Sequence, residues 1–118
     1  MATKSLLNLQ KVSIIRPTMA KEKDEKPHYV GHRARLRERF LKSGGEALPD
    51  YELLELVLFL ALPRRDVKPL AKSLLETFGS FADVISAEPV ELRKVKGMGD
   101  TTVVALKSIQ AAAHRLLN

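Results

Sequence analysis

Between residues 51 and 62 every side chain except Glu52 and Glu55 is apolar, and Pro63 follows at once. A helix apolar on nearly every side is stable only where other elements cover it, so this segment predicts the middle helix of a packed bundle. Its apolar run, even counted through Glu55, is well short of the ~20 residues that a membrane span requires. The remaining sequence supplies the cover. Of 118 residues, 45% are hydrophobic, which is enough for a core and argues against wholesale disorder.

The punctuation around the apolar helix divides the chain into short helical pieces. Leu36 and Phe40 lie one turn apart in a helix over residues 31–43, which Gly44-Gly45 ends. Pro49 and Asp50 open the apolar helix, with Asp50 as its expected cap. Asp66 caps a third helix whose stripe is Leu70, Ala71, Leu74, Leu75 and Phe78, ended by Gly79. Ser80 with Asp83 three residues on makes a capping-box-like start to a short helix through Ile85. Pro89 suits the first turn of another short helix to about Val95, with Glu88 as a poor cap. After a tight turn over residues 96–100, a last helix from Thr101 to about Leu117 places Ala105, Ile109, Ala112, Ala113 and Leu116 on one face. No sustained period-two alternation occurs. The expected fold is all-α, a compact bundle of five to six short helices over residues 28–118. Residues 1–27 read as a disordered or weakly ordered tail, because 17–27 offer charge and nothing to bury. Within the tail, residues 12–15 form a short patch able to pair with a neighbour.

Charge and composition narrow the function classes. The net charge is +6, and residues 1–49 hold 11 basic and 5 acidic side chains against 9 of each in residues 50–118. The whole surplus therefore sits near the start, a pattern that suits an anionic partner as well as a solvated basic tail. The absence of cysteine excludes a disulfide scaffold, a thiolate zinc site and cysteine nucleophile chemistry. His28 and His32 are four apart with no third ligand in reach and read as capping or surface residues; His114 lies on a polar helix side. No serine has a histidine and an acid arranged near it, so neither an enzyme activity nor a cofactor nor a metal is expected of this chain. The first residues carry no signal-peptide pattern, and a soluble, cytoplasmic protein is expected.

The chemistry concentrates at Lys96-Gly97-Met98-Gly99. Two glycines permit backbone conformations that other residues avoid and leave amides uncovered at the mouth of a helix whose dipole favours an anion. Lys94, Lys96 and Lys107 are near enough in sequence to add charge. The plainer reading is a compact reversal between two helices, with Asp100 capping the second. Leu92, Val95, Gly97, Met98 and Gly99 match the pattern of a helix-hairpin-helix motif, with Val103 where that motif usually carries alanine. Pro63-Arg64-Arg65-Asp66 joins two helices on the same plan without glycines, so that its phosphate contacts would come from Arg64 and Arg65. Two such units would make a pseudo-symmetric, tandem helix-hairpin-helix domain. In the first helix Arg35, Arg39 and Lys42 share one side and form a phosphate-facing group. Arg33 and Arg37 fall on the apolar side, where one of them is expected to pair with Glu52 or Glu55 as a structural lock.

Three stretches resemble the bacterial RadC family. These are Gly31-His32-Arg33-Ala34-Arg35-Leu36-Arg37-Glu38-Arg39-Phe40, Leu48-Pro49-Asp50-Tyr51-Glu52-Leu53-Leu54-Glu55 and Pro63-Arg64-Arg65-Asp66-Val67-Lys68-Pro69-Leu70-Ala71. The similarity continues through Phe78-Gly79-Ser80 to the glycine turn. It implies an amino-terminal helix-hairpin-helix domain of a family historically labelled DNA repair proteins. Typical members continue into a JAMM-type metalloprotease-like domain with a His-x-His pair, a serine and an aspartate, which these residues do not include.

The function expected is sequence-independent binding of duplex or branched DNA. Phosphate would be held by the turn of Lys96, Gly97, Met98 and Gly99 together with Arg64, Arg65, Arg35, Arg39 and Lys42. Few aromatics are present to stack on single-stranded bases. The alternative is a protein-interaction, dimerisation or docking module that positions the metalloprotease-like domain of a longer parent.

Overall fold

Leu54, Leu58 and Phe59 are buried along one side of the apolar segment, and the other helices are arranged around them. A computed structural model describes residues 28–118; the expected tail over 1–27 and the patch at 12–15 lie outside the described residues. Six α-helices follow one another among the described residues, with no strand: α1 (His28–Ser43), α2 (Asp50–Ala61), α3 (Lys68–Phe78), α4 (Phe81–Ser86), α5 (Pro89–Leu92) and α6 (Asp100–Leu117). A 3-10 turn, Gly45–Ala47, joins α1 to α2. No helix among the described residues is long and apolar enough to cross a membrane.

Residues 32–118 form one compact unit. Within it α2 touches α3, α4 and α6, the place that its apolar composition requires. Leu36, Leu48, Leu54, Leu58, Val67, Leu70, Leu74, Val84, Leu92 and Leu106 fill the core, each aliphatic side chain contributing about 1.5–3 kcal/mol through burial. The cover of α2 is incomplete, however: Leu60 is 80% exposed.

Short helices survive here because their ends are tied. Ser80 accepts from the Asp83 amide at 3.1 Å, the expected cap, and its hydroxyl donates to the Asp83 carboxylate at 2.8 Å in place of the backbone return bond of a full capping box. Asp50, expected to cap its own helix, is instead the first residue of α2, and its carboxylate accepts from the Phe81 amide at 2.9 Å. It thereby satisfies a first-turn donor of α4, 31 residues away. Lys107 in α6 closes the other end of α4, donating to the carbonyls of Ile85 at 3.0 Å and Ala87 at 2.7 Å.

Two helix faces differ from the sequence expectation. In α6 the buried residues are Thr102, Val103 and Leu106, whereas Ala112, Ala113 and Leu116 are exposed. The core ends near Ile109, so the apolar stripe beyond it has nothing to pack against. In α1 the inward face holds His32, Arg33 and Leu36, with Phe40 at its margin and 37% exposed. Arg37 is outside and exposed.

Candidate nucleic-acid interface

The rotation of α1 decides which charges are free. His32, Leu36 and Arg39 follow one another at helical spacing along the side that meets α2, and the two glutamates of α2 take their partners from this row. Glu55, fully buried, contacts His32 Nε2 at 3.1 Å. Glu52 accepts from Arg39 Nη1 at 2.9 Å, and this bond and the Glu52 charge hold the Arg39 guanidinium pKa above its ordinary value. The lock is expected from Arg33 or Arg37, whereas the contacts seen at the two carboxylates come from His32 and Arg39, other members of the same helix. The reason is geometric: a face centred on Leu36 includes positions 32 and 39 and turns 37 outward. His32, expected at the surface or as a cap, is half-buried between α1 and α2, its ring edge-on to Phe59 with centroids 6.0 Å apart.

Arg33 is buried as an arginine on the apolar side must be, but it serves main-chain acceptors. Its guanidinium lies 4.6 Å from the Phe59 ring centroid and donates to the carbonyls of Phe59 at 3.2 Å, Leu62 at 2.7 Å and Arg65. These carbonyls belong to the last turn of α2 and the loop after it, where a helix leaves its acceptors unsatisfied. A single planar cation with several donors closes the helix end and fixes the course of the loop.

That loop, residues 62–66, meets the glycine turn. Arg65 Nη1 donates to the Gly97 carbonyl across 3.4 Å. A β-carbon at Gly97 would come within 3.0 Å of Arg65 Nη2 and 3.5 Å of Leu70 Cδ1. Gly97 also has φ +96°, a conformation that side chains with a β-carbon rarely adopt, and it is this backbone angle that demands glycine, since the Arg65 tip can give way and the Leu70 contact is an ordinary one. Gly99 is different. Its φ of −131° is ordinary extended backbone, and open space surrounds the site of a β-carbon, so the expected conformational need for this second glycine is absent.

The amides at the turn divide similarly. Met98 donates to the Val95 carbonyl at 3.1 Å and its side chain packs on the core, so it anchors the turn and has no amide to spare for a phosphate. The amides of Gly97 and Gly99 have no partner among the described residues, and both glycines are exposed. No side chain caps the start of α6. Asp100, a candidate for that role, turns its carboxylate to Arg93 Nε at 3.1 Å instead. The donors at the mouth of an 18-residue helix therefore stay open toward solvent.

Of the lysines near the turn in sequence, Lys96 is exposed, Lys94 is paired with Glu91 at 3.0 Å, and Lys107 is spent on the end of α4. Arg64 is exposed beside Arg65. Arg35 and Lys42 are exposed on α1. The structure thus brings together Arg65 and Gly97, leaves Arg35 and Lys42 exposed on α1, and ties Arg39 to Glu52. No cluster of three or more His, Asp or Glu among the described residues is placed to hold a metal ion.

Sequence reasoning missed the Arg33 carbonyl clamp, the Asp50 and Lys107 ties and the His32–Glu55 contact. The last had a signal: Glu55 inside an apolar helix and His32 spaced with Leu36 on one helix side.

A family model described as UPF0758 N-terminal matches residues 29–104. A UPF0758 protein of Ruegeria pomeroyi is 56% identical over 91 residues, covering 76% of this chain and 41% of that protein. A UPF0758 protein of Rhodobacter capsulatus is 62% identical over 81 residues, covering 69% of this chain and 38% of that protein. The chain spans about two-fifths of the length of these curated relatives. No solved structure matches it.

Proposed function

The chain belongs to the UPF0758 family, whose N-terminal domain it carries, and we propose that this domain is a sequence-independent DNA-binding module that grips the phosphate backbone. The observation that carries the reading is the junction of Arg65 with the Gly97 turn at the uncapped mouth of α6. Open amides, a helix dipole and an arginine fork converge there, and each favours an anion of phosphate geometry. Lys96 and Arg64 add charge at the same edge, and Arg35 and Lys42 on α1 would steer or hold a second backbone segment, Arg39 being tied to Glu52. Contacts of this kind position a protein without reading bases. The resemblance of the motifs to the RadC amino-terminal helix-hairpin-helix domain supports the same reading and connects it with that family's repair label. In a longer parent such a module would set the remaining region on its target.

The test is fluorescence anisotropy with duplex and forked DNA across a salt series, comparing the unmodified chain with Arg65→Ala/Lys96→Ala. Arg115→Ala serves as a control for charge, at the far end of α6 and about 22 Å from its start. Affinity should fall steeply with salt, the double variant should bind weakly with a salt slope shallower by about two, and the control should change little. Equal binding by the double variant and the unmodified chain would remove the turn as the phosphate site.

The balance of 9 basic and 9 acidic residues in positions 50–118 favours a second reading, a dimerisation or docking module. A size that rises with concentration, together with absent DNA binding at moderate salt, would select it.

A further inference from the structure

We propose that Arg33, though buried and away from any ligand, is the positioning residue that holds Arg65 against the Gly97 turn and so joins the two interhelical loops into one anion-facing edge. The inference rests on the reading of that edge as a phosphate site, but its structural half can be tested without DNA.

The loop between α2 and α3 has no glycine to set its course. The Lys68 amide donates to Asp66 Oδ1 at 3.0 Å, and the Leu62 amide closes on Leu58 O at 2.8 Å. Between those ties, the Arg33 guanidinium reaches Leu62 O and Arg65 O from beneath and ties the loop to α1. Arg65 is therefore grasped by its own carbonyl on one side while its side chain extends to Gly97 on the other. The sequence separation of both contacts is 32 residues, so one arginine relays α1 to the loop and a second relays the loop to the turn. Arg33 Nη1 serves Phe59 O while Nη2 alone serves both Leu62 O and Arg65 O, so a lysine at position 33 keeps the charge but, one atom shorter and with a single nitrogen, does not reach as far as the loop. It would close the helix end and release the Arg65 carbonyl. Arg33 acts through Arg65, and its loss should be felt at the turn only while Arg65 is present.

The experiment compares amide spectra of the unmodified chain, Arg33→Lys, Arg65→Ala and the double variant. Arg33→Lys should displace the Gly97 and Met98 amide resonances in the unmodified background and leave them unmoved in the Arg65→Ala background. If Gly97 and Met98 stay in place in Arg33→Lys, or move equally in both backgrounds, the relay does not exist. With duplex DNA, Arg33→Lys and Arg65→Ala should each lower the salt slope by about one, and the double variant should lower it no further. Additive losses would overturn the proposal. Should the unmodified chain show no salt-dependent binding, the phosphate reading falls while the spectra still decide the relay. If Arg33→Lys does not fold, relaxation of the Arg65 Nε–H in the unmodified chain decides. Order well above that of exposed Arg35 supports the relay, and averaging like that of Arg35 refutes it.

Discussion

The loop after α2 and the turn before α6 do the same topological work by opposite means. Each reverses the chain between two helices and each presents donors at one edge of the domain. At residues 96–99 the shape is written into the backbone: Gly97 takes φ +96°, Met98 closes on Val95, and Met98 packs on the core. At residues 62–66 the shape comes from outside, from the Arg33 guanidinium buried beneath the carbonyls. A turn fixed by its own dihedral angles tolerates changes elsewhere in the fold, whereas a loop fixed by a distant side chain is only as ordered as the helix that carries it. The difference predicts where each is vulnerable.

The largest effect belongs to the loop. Arg33→Ala leaves carbonyls at the buried end of α2 without donors and should cost about 3 kcal/mol, seen in thermal unfolding as a fall of roughly 15 °C. The Gly97→Ala substitution strains the turn at its positive φ and presses on Arg65, which should cost about 1–2 kcal/mol in denaturant titrations. If Arg33→Ala proved the milder of the two, the assignment of an external support to one loop and an internal one to the other would be reversed. Gly99 sharpens the comparison within the turn itself. Gly99→Ser needs no backbone change and supplies the missing cap of α6, so stability should rise by a few tenths of a kcal/mol. The same hydroxyl occupies a first-turn amide, so DNA affinity should fall as stability rises. A parallel rise in both would show that those amides do not face phosphate.

The smallest effect is confined to alkaline solution. Burial, aided by the charges of Glu55, Asp66 and Glu52, raises the Tyr51 hydroxyl pKa above its ordinary value. The folded chain therefore keeps this phenol neutral where the unfolded chain begins to ionise. The stability that this provides is complete below about pH 10 and is lost as pH climbs through the folded value. Tyr51→Phe should lack that decline. Because Asp66 belongs to the loop after α2, the decline reports on the side of the molecule that Arg33 supports and should be unaltered in Gly97→Ala.

Much of the fold was legible because its signals are local. The apolar run of α2 with Pro63 behind it, the stripe of α3, the cap at Ser80 and the glycine reversal each depend on a few neighbouring residues, and each is found where the spacing puts it. Element ends shifted by a residue or so at α6, by three at the start of α1, and by about three at the end of α5, which stops at Leu92 and not near Val95. At the candidate interface the residue types were legible and their partnerships were not. Arg33, Arg37 and Arg39 are alike in sequence, yet one is buried under carbonyls, one is exposed and one is tied to Glu52.

The sequence by itself determined that this chain would be helical, which segment would lie at the centre, and that Gly97 would turn the chain, because hydrophobic periodicity and backbone sterics act over a few residues. Only the tertiary structure decided which of several equivalent cations is free. A few tens of degrees of rotation of α1 about its axis exchange buried and exposed positions, and that rotation is fixed jointly by Leu36 in the core and by His32 and Arg33 against Glu55 and Phe59, not by any residue alone.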